Sequence, residues 1–236
     1  MKVAIIAGGQ GLRLREETVE KPKALVEIGG RPLLWHIMMH YAHHGFRDFV
    51  IALGYKGEMI RRCLAEGALP ASAEAVDTGL ETMNGGRIKR LAAHLGGGTF
   101  MLTWCDGLSD VNLRDLLAFH RSHGRIATLT AVHPPARFGQ LTFEDGGNRI
   151  ASFAEKPPAS EEWINGAFFV LEPGVLDYIP GDDTEFEREP LERLARDGEL
   201  MGYRHTSFWM CVDTIRDRAI LEEHWRGGNP PWKVWA

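Results

Sequence analysis

The sequence predicts an α/β fold with a Rossmann-like, mixed but largely parallel sheet flanked by helices. Three observations lead to this prediction. A short apolar run, Met1–Ala7, leads directly into a glycine-rich loop, Gly8–Gly11. Short apolar strands then alternate with amphipathic helices through the first half of the chain, which is the pattern of parallel sheets. In the second half, strand-like segments are separated only by turn residues, which indicates antiparallel pieces in the same fold.

The elements of the first half follow one another regularly. Val3–Ala7 is the first predicted strand, and the helix Pro32–His44 has Pro32 suited to its first turn and Gly45 to its end. The remaining predictions are three strands and three helices: Phe49–Leu53, Thr99–Trp104, Ile126–Val132, Gly57–Ala65, Gly85–Leu95 and Asn112–Ser122.

The second half has shorter apolar segments and more turns. Its predicted strands are Gln140–Phe143, Ile150–Phe153 and Ala167–Leu171, and its predicted helices are Glu189–Arg196 and Asp213–Arg226. No internal repeat, low-complexity tract or long linker interrupts the sequence. We therefore expect one domain over residues 1–236.

Composition limits the classes of function. The 236 residues carry a net charge of −5, which gives no electrostatic case for binding nucleic acid or a membrane surface. No apolar stretch approaches the roughly 20 residues that span a bilayer, and the start lacks the features of a signal peptide. The three cysteines are far apart and odd in number, which favours reduced thiols and a cytoplasmic location.

The glycine-rich loop predicts a nucleotide triphosphate site at the end of the first strand. Glycines without a Cβ let backbone N–H groups approach phosphates, and Arg13 and Lys23 add positive charge beside them. The loop matches neither common fingerprint, because no Lys follows Gly11 as in a P-loop and Leu14 stands where the dinucleotide motif has glycine. The alternative is that the loop is only a tight turn between a strand and a helix.

Several motifs together resemble the sugar-1-phosphate nucleotidyltransferase family. The first two are A-G-G-x-G-x-R-L and P-K-x-x-V-x-I-G-G-x-P, and further matches follow in the family's order along nearly the whole chain: Leu34–Met38, Gly54–Gly57, Val76–Gly79, Gly85–Arg87, Arg137–Gly139, Glu155–Pro157 and Pro231–Trp235. They favour the cytidylyltransferase branch, which makes CDP-glucose from CTP and glucose 1-phosphate for surface polysaccharides. The resemblance implies a nucleotidyltransferase (GT-A-like) fold. Its nucleotide-binding part would cover about 1–135, and a smaller antiparallel sugar-phosphate-binding part about 136–236.

The resemblance also implies a catalytic Mg²⁺ held by Asp106 and Asp213. Each aspartate follows an apolar run, and a carboxylate at the end of a strand faces the crevice where ligands bind in open α/β sheets. Hard divalent ions accept two carboxylates when phosphate oxygens supply the remaining ligands. The alternative for Asp213 is a helix N-cap, with Asp110 as a competing cap near Asp106.

The family's motif positions carry further roles onto this chain. Arg13, Lys23 and Asp106 are the implied catalytic residues, and no general base is expected because the attacking phosphate is already anionic. The implied nucleotide-binding residues are Ala7, Gly8, Gly9, Gly11, Arg13, Lys23, Thr82, Gly86, Arg87 and Gly107. The implied sugar-phosphate-binding residues are Gly139, Glu155, Lys156, Asn165 and Gly166.

The chain departs from the family pattern at positions near both ligands. Leu12 stands where the family has Thr, Cys105 where it has Gly before Asp106, Ala24 where it has Pro, and Ala167 where it has a second Gly. The stretch between residues 57 and 77 is also shorter than in typical members. In the family, that stretch helps subunits associate and also borders the nucleotide pocket. Its shorter length leaves open whether this chain forms a homo-oligomer and which base it prefers.

Two alternative functions remain at this point. One is an enzyme that uses CTP, or another nucleotide, with a different sugar phosphate or phosphorylated metabolite. The other is a non-catalytic relative that binds nucleotide or sugar and regulates a partner.

The predicted helix Pro32–His44 carries four histidines: His36, His40, His43 and His44. We interpret them as surface or interface residues and not as metal ligands.

Overall fold

A computed structural model describes residues 1–136, 138–155 and 162–236. Its strands in chain order are β1 (Lys2–Ile6), β2 (Glu27–Ile28), β3 (Arg31–Pro32), β4 (Asp48–Leu53), β5 (Ala73–Asp77), β6 (Phe100–Trp104), β7 (Gly107–Ser109), β8 (Ala127–Val132), β9 (Gln140–Phe143), β10 (Ile150–Ala154), β11 (Ile164–Leu171), β12 (Leu200–His205) and β13 (Trp209–Cys211). Its helices are α1 (Arg15–Thr18), α2 (Leu33–His43), α3 (Gly57–Ala65), α4 (Asn84–Arg90), α5 (Leu113–His123), α6 (Glu189–Arg196) and α7 (Ile215–Arg226).

The central sheet has seven strands in the order β12-β8-β11-β6-β1-β4-β5. Strand β11 runs antiparallel to β6 and β8, and every other neighbouring pair is parallel. Three small antiparallel pairs, β2–β3, β7–β13 and β9–β10, lie outside this sheet. The predicted fold class, a mixed and largely parallel sheet flanked by helices, is therefore confirmed. The parallel strands end at one edge, where ligands bind in folds of this kind.

Both faces of the sheet are covered, so its central strands are apolar throughout. Residues 3–5 of β1 are fully buried, as expected for a strand between two layers of helices. The adjacent residues Phe168 and Phe169 point to opposite faces and enter two separate core clusters. None of the helices in the described ranges is long and apolar enough to cross a bilayer.

Most predicted elements are present, with differences at their ends. The predicted helix Gly85–Leu95 is α4, which ends at Arg90 and is followed by a 3-10 turn over Ala92–His94. Strand β11 begins at Ile164, three residues before its predicted start, and α7 begins at Ile215. Strands β2, β3, β5, β7, β12 and β13 are absent from the prediction. Strands β2 and β3 have only two residues each and β7 and β13 three, while the Ala, Glu and Asp residues of β5 are uncommon in strands.

The prediction of surface histidines on α2 is wrong for two of the four. His36 and His40 are buried, with exposed fractions of 0% and 3%. His36 accepts a hydrogen bond from Trp232 Nε1 at 3.3 Å, and its own Nε2 lies 2.9 Å from the Ile28 carbonyl oxygen. His40 Nε2 lies 2.8 Å from the Val111 carbonyl oxygen. These partners satisfy the polar ring atoms, so both side chains belong to the core.

Candidate active site

The glycine-rich loop follows β1 and joins the end of β4. Gly8 accepts a hydrogen bond from the Tyr55 N–H at 3.0 Å, and a Cβ at Gly8 would lie 2.4 Å from the Arg87 guanidinium. Only glycine fits between these neighbours. Gly11 has a φ of +64°, a left-handed conformation that favours glycine. Gly9 has open space around it, so its backbone faces the cleft described below.

Two aspartates meet at the far side of this loop. Asp106 follows β6, and Asp213 follows β13, whose Cys211 pairs with Gly107 in the β7–β13 ribbon. The Val212 N–H donates to the Asp106 carbonyl at 3.0 Å, which extends the ribbon to the aspartates themselves. Residues more than 100 positions apart are thereby placed side by side at the carboxyl edge of the sheet.

Lys23 bridges the two carboxylates. Its Nζ donates to Asp106 Oδ2 at 2.6 Å and to Asp213 Oδ1 at 2.8 Å. Arg13 Nη1 donates to the other oxygen of Asp213, Oδ2, at 2.6 Å. Two positive and two negative side chains thus form one cluster. The four residues predicted to carry catalysis and metal binding are brought together by the fold.

The cluster keeps its charges despite burial. Burial opposes the charge of Lys23, but the nearby carboxylates of Asp106 and Asp213 outweigh it and raise the pKa of the ammonium. Burial also disfavours the Asp213 carboxylate, yet its bonds with Lys23 and its proximity to Arg13 lower its pKa overall. Both groups are therefore ionised at neutral pH.

The two cysteines beside the aspartates are neutral thiols. Burial, together with the charge of Asp106, raises the pKa of Cys105 to about 12. Burial and the charge of Asp213 raise the pKa of Cys211 to about 12 as well. Both side chains are therefore uncharged at neutral pH and add no negative charge beside the two aspartates.

The interpretation of Asp213 as a helix cap is wrong. Thr214 is the N-cap of α7, and its side chain accepts from the Asp217 N–H in a reciprocal capping box. Likewise the cap of α5 is Asn112, while Asp110 accepts hydrogen bonds from His205 and Ser207. The Asp213 side chain instead accepts hydrogen bonds from Lys23, Arg13 and the Cys211 thiol.

A cleft of about 570 Å³ opens over the loop and the aspartates. Seven of the predicted nucleotide-binding residues line it: Gly8, Gly9, Gly11, Arg13, Lys23, Thr82 and Arg87. Asp106 lines it too, whereas Ala7, Gly86, Gly107 and Asp213 lie outside its lining. Leu12, Leu80 and Met83 form an exposed apolar rim, each at least 40% exposed. The cleft therefore has a charged end that suits phosphates and an apolar end that suits the base of a nucleotide.

Arg87 braces one wall of the cleft. It is 3% exposed, and its guanidinium donates to the carbonyl oxygens of Leu53, Gly79 and Leu80 and to Thr78 Oγ1, over 2.6–3.2 Å. Two separate segments, the end of β4 at Leu53 and the stretch 78–80, converge on this one side chain. These hydrogen bonds hold the wall of the cleft in shape.

Gly86 is explained by packing in the protein. A Cβ there would lie 2.5 Å from the Asp182 carbonyl oxygen, so the close approach is to a loop of the second half. Sequence reasoning missed the next contact in this loop, where Glu187 accepts from Trp104 Nε1 at 2.8 Å and from Asn84 Nδ2 at 2.6 Å. No local sequence pattern predicts these two hydrogen bonds of Glu187, because both partners are distant in sequence.

The predicted sugar-phosphate residues fall in two places. At Gly139, a Cβ would lie 3.0 Å from Glu155 Oε2, so these two residues adjoin. Asn165 and Gly166 lie in β11, and the Gly166 oxygen is 4.0 Å from the position of a Cβ on Gly107. The start of β11 thus adjoins the loop that carries Asp106. Lys156 and Arg137 lie outside the described residues.

A sheet edge that joins a glycine loop, two cations and two carboxylates in one cleft defines a protein that acts on nucleotides and phosphates. The profile of the nucleotidyl transferase family matches residues 2–222. The chain therefore belongs to the nucleotidyl transferase family and is an enzyme of that class.

Within the family, the chain is similar to glucose-1-phosphate cytidylyltransferase of Salmonella typhi. The two are 45% identical over 258 aligned residues, covering 100% of each chain. The alignment is longer than the 236 residues here, so the relative has residues that this chain lacks.

Solved structures share the fold at lower identity. HddC from Yersinia pseudotuberculosis is 21% identical with a TM-score of 0.74, over 95% of this chain and 99% of that one. A UDP-glucose pyrophosphorylase complexed with UDP-glucose is 15% identical with a TM-score of 0.74, over 97% and 99%.

Proposed function

We propose that the chain transfers CMP from CTP to glucose 1-phosphate, giving CDP-glucose and pyrophosphate. The observation that carries the proposal is the bridge from Lys23 to both Asp106 and Asp213, at 2.6 and 2.8 Å, beside the glycine loop. The full-length similarity to a glucose-1-phosphate cytidylyltransferase supports the choice of substrates.

The chemistry asks for alignment and charge neutralisation. A phosphate oxygen of the sugar phosphate attacks the α-phosphorus of CTP, and the bond from that phosphorus to the oxygen bridging the β-phosphorus breaks. The nucleophile is already anionic, so no side chain has to remove a proton. Arg13 and Lys23 supply the positive charge that meets the triphosphate and the departing pyrophosphate. The side chain of Arg13 is 76% exposed, which leaves it free to turn toward a ligand.

The carboxylate pair fits Mg²⁺. Asp106 and Asp213 are hard oxygen donors held side by side through Lys23, and Mg²⁺ is commonly held by one or two carboxylates with phosphates and water completing its shell. No group of three or more His, Cys, Asp or Glu side chains is gathered among the described residues, in keeping with a site completed by substrate. When bound, Mg²⁺ would neutralise phosphate charge that Arg13 and Lys23 alone leave unbalanced.

The remaining assignments follow from position. We assign the cytosine and ribose to the part of the cleft between Gly9 and Thr82, and the sugar phosphate to Glu155, Asn165 and Gly166 together with Lys156. This keeps the division into a nucleotide-binding part over about 1–135 and a sugar-phosphate-binding part over about 136–236. The three free cysteines support a reducing, cytoplasmic setting.

The test is pyrophosphate release with Mg²⁺, using CTP, UTP, dTTP, ATP and GTP against a panel of sugar 1-phosphates. Turnover restricted to CTP with glucose 1-phosphate is the expected result. Turnover of CTP only with another phosphorylated acceptor would replace the acceptor in the proposal. CTP binding without turnover of any pair would instead support the non-catalytic alternative.

A further inference from the structure

We propose that Trp209 is a positioning residue that fixes the irregular start of β11 against the pair of aspartates. We call this segment, residues 165–167, the sugar loop. The inference rests on the proposed function, because it takes Asn165 and Gly166 as contacts of the sugar phosphate. Its observation is a hydrogen bond from Trp209 Nε1 to the Gly166 carbonyl oxygen at 2.8 Å. No substrate contact is required of Trp209 itself.

The backbone of Trp209 belongs to the same ribbon as the aspartates. In the β7–β13 pair, Trp209 lies opposite Ser109 and Cys211 lies opposite Gly107. The ribbon therefore begins beside Asp106 on one strand and ends beside Asp213 on the other. A side chain anchored in this ribbon moves with the carboxylates, so whatever it holds is held relative to them.

The indole reaches across to a peptide unit that is bonded at both ends. The Gly166 oxygen accepts from Trp209, and the N–H of the same peptide unit, on Ala167, donates to Asn165 Oδ1 at 2.8 Å. Ala167 has a φ of +61°, a conformation that an alanine adopts only when its surroundings impose it. The two hydrogen bonds together define the plane of this peptide.

The hydrogen bond from the Ala167 N–H to Asn165 Oδ1 also limits which atoms of the sugar loop can contact a ligand. One lone pair of Asn165 Oδ1 is used within the loop, which leaves its second lone pair, the Nδ2 hydrogens and the loop's backbone for sugar hydroxyls. On the other side the loop packs closely on β8: Asn165 pairs with Ala131, and a Cβ at Gly166 would lie 2.8 Å from Val132 Cγ1 and 3.0 Å from the Thr130 oxygen. Trp209 and β8 thus confine the loop from two sides.

The test removes the indole N–H and compares the two substrates. Trp209→Phe loses the donor, and a benzothiophene analogue of tryptophan at position 209 loses it while keeping the ring's shape. We expect the KM for glucose 1-phosphate to rise about five- to tenfold, the effect of one ordinary hydrogen bond, with kcat and the KM for CTP within twofold. Trp35→Phe is the matched control, because the Trp35 ring packs against Trp235 in another aromatic cluster. It is expected to leave all three kinetic parameters unchanged.

A second readout does not depend on turnover. Hydrogen exchange of the amides of residues 165–167 is expected to be faster in both Trp209 variants than in the wild type or Trp35→Phe. An unchanged KM for glucose 1-phosphate, or a joint rise in both KM values with a lower Tm for the analogue, would overturn the proposal. A wild type that is inactive with glucose 1-phosphate would contradict the proposed function, and unchanged amide exchange would then overturn the role of Trp209 separately.

Discussion

Arg13 Nη1 and Asp213 Oδ2 lie 2.6 Å apart although 200 positions separate them in the chain. This ion pair joins the glycine-rich loop after β1 to the residue that precedes the cap of α7. Its two sides differ in exposure, since the side chain of Arg13 is 76% exposed and that of Asp213 is 10% exposed. A carboxylate that is fixed, and a cation that is free to turn toward a phosphate, is the arrangement that phosphoryl transfer requires.

Replacing either aspartate is expected to remove turnover while the fold is kept. In Asp106→Asn, Lys23 retains its bond to Asp213, so the buried ammonium still has a charged partner. We expect kcat to fall at least about 100-fold, because a neutral amide is a much weaker ligand for Mg²⁺ than the carboxylate that it replaces. Pyrophosphate release and a thermal melt of the same sample would measure both effects. Activity close to the wild type would contradict the role of Asp106.

Arg87→Lys is expected to weaken the wall of the cleft. A lysine ammonium cannot reproduce the fork that reaches Leu53, Gly79 and Leu80, so buried carbonyl oxygens lose their donor. We expect a loss of about 2–4 kcal/mol in the free energy of unfolding and at least a tenfold higher KM for CTP. The control is Arg90→Lys, one turn further along, whose partner Asp182 is exposed and where only a small change is expected. Equal effects of the two substitutions would contradict the account.

The buried histidines predict a loss of stability in mild acid. Burial lowers the pKa of His36 to about 4 and that of His40 to about 3, against 6.5 when unfolded. The unfolded chain thus binds more protons below pH 6.5, so the stability present above that pH falls as the pH drops toward 4. Each histidine contributes about 1.4 kcal/mol per pH unit. Urea unfolding at several pH values between 7 and 5 gives the slope of the unfolding free energy against pH. In His36→Gln this slope should be smaller by about one proton near pH 5, and an unchanged slope would argue against burial of His36.

Ala167→Gly is expected to stabilise the protein. A left-handed alanine costs about 1–2 kcal/mol, and glycine returns part of that gain through the larger entropy of its unfolded chain, leaving about 0.5–1 kcal/mol. Ala131→Gly, in the extended strand β8, is the control and should destabilise by a similar amount. Chemical denaturation of both variants gives the comparison. A lower stability for Ala167→Gly would show that the backbone at 167 is unstrained.

The sequence was most informative where local chemistry determines structure. The alternation of apolar strands and helices predicted the sheet, and two helices, Gly57–Ala65 and Glu189–Arg196, have the predicted bounds. The fold brings together the motif residues Arg13, Lys23, Asp106 and Asp213, to which the family resemblance assigns catalysis and metal binding. Their contacts with one another could not be predicted, because the short ribbon that aligns Gly107 with Cys211 has no periodicity of its own.

Burial was harder to predict than motif membership. The histidines of α2 have polar rings, and nothing local distinguishes His36 and His40, which are buried, from His43, which is exposed. Their burial depends on Trp232 and on the Ile28 and Val111 carbonyl groups, all distant in the chain. The same limit applies to Trp209 and Glu187, whose hydrogen-bond partners are distant from them in the chain.

The most direct measurement is the product balance of the purified protein with CTP, glucose 1-phosphate and Mg²⁺. Chromatography quantifies CDP-glucose while a coupled assay quantifies pyrophosphate. We predict equal amounts of the two products, with both lost when EDTA removes the metal. Pyrophosphate formed without CDP-glucose, or at a rate independent of glucose 1-phosphate, would contradict the proposed transfer.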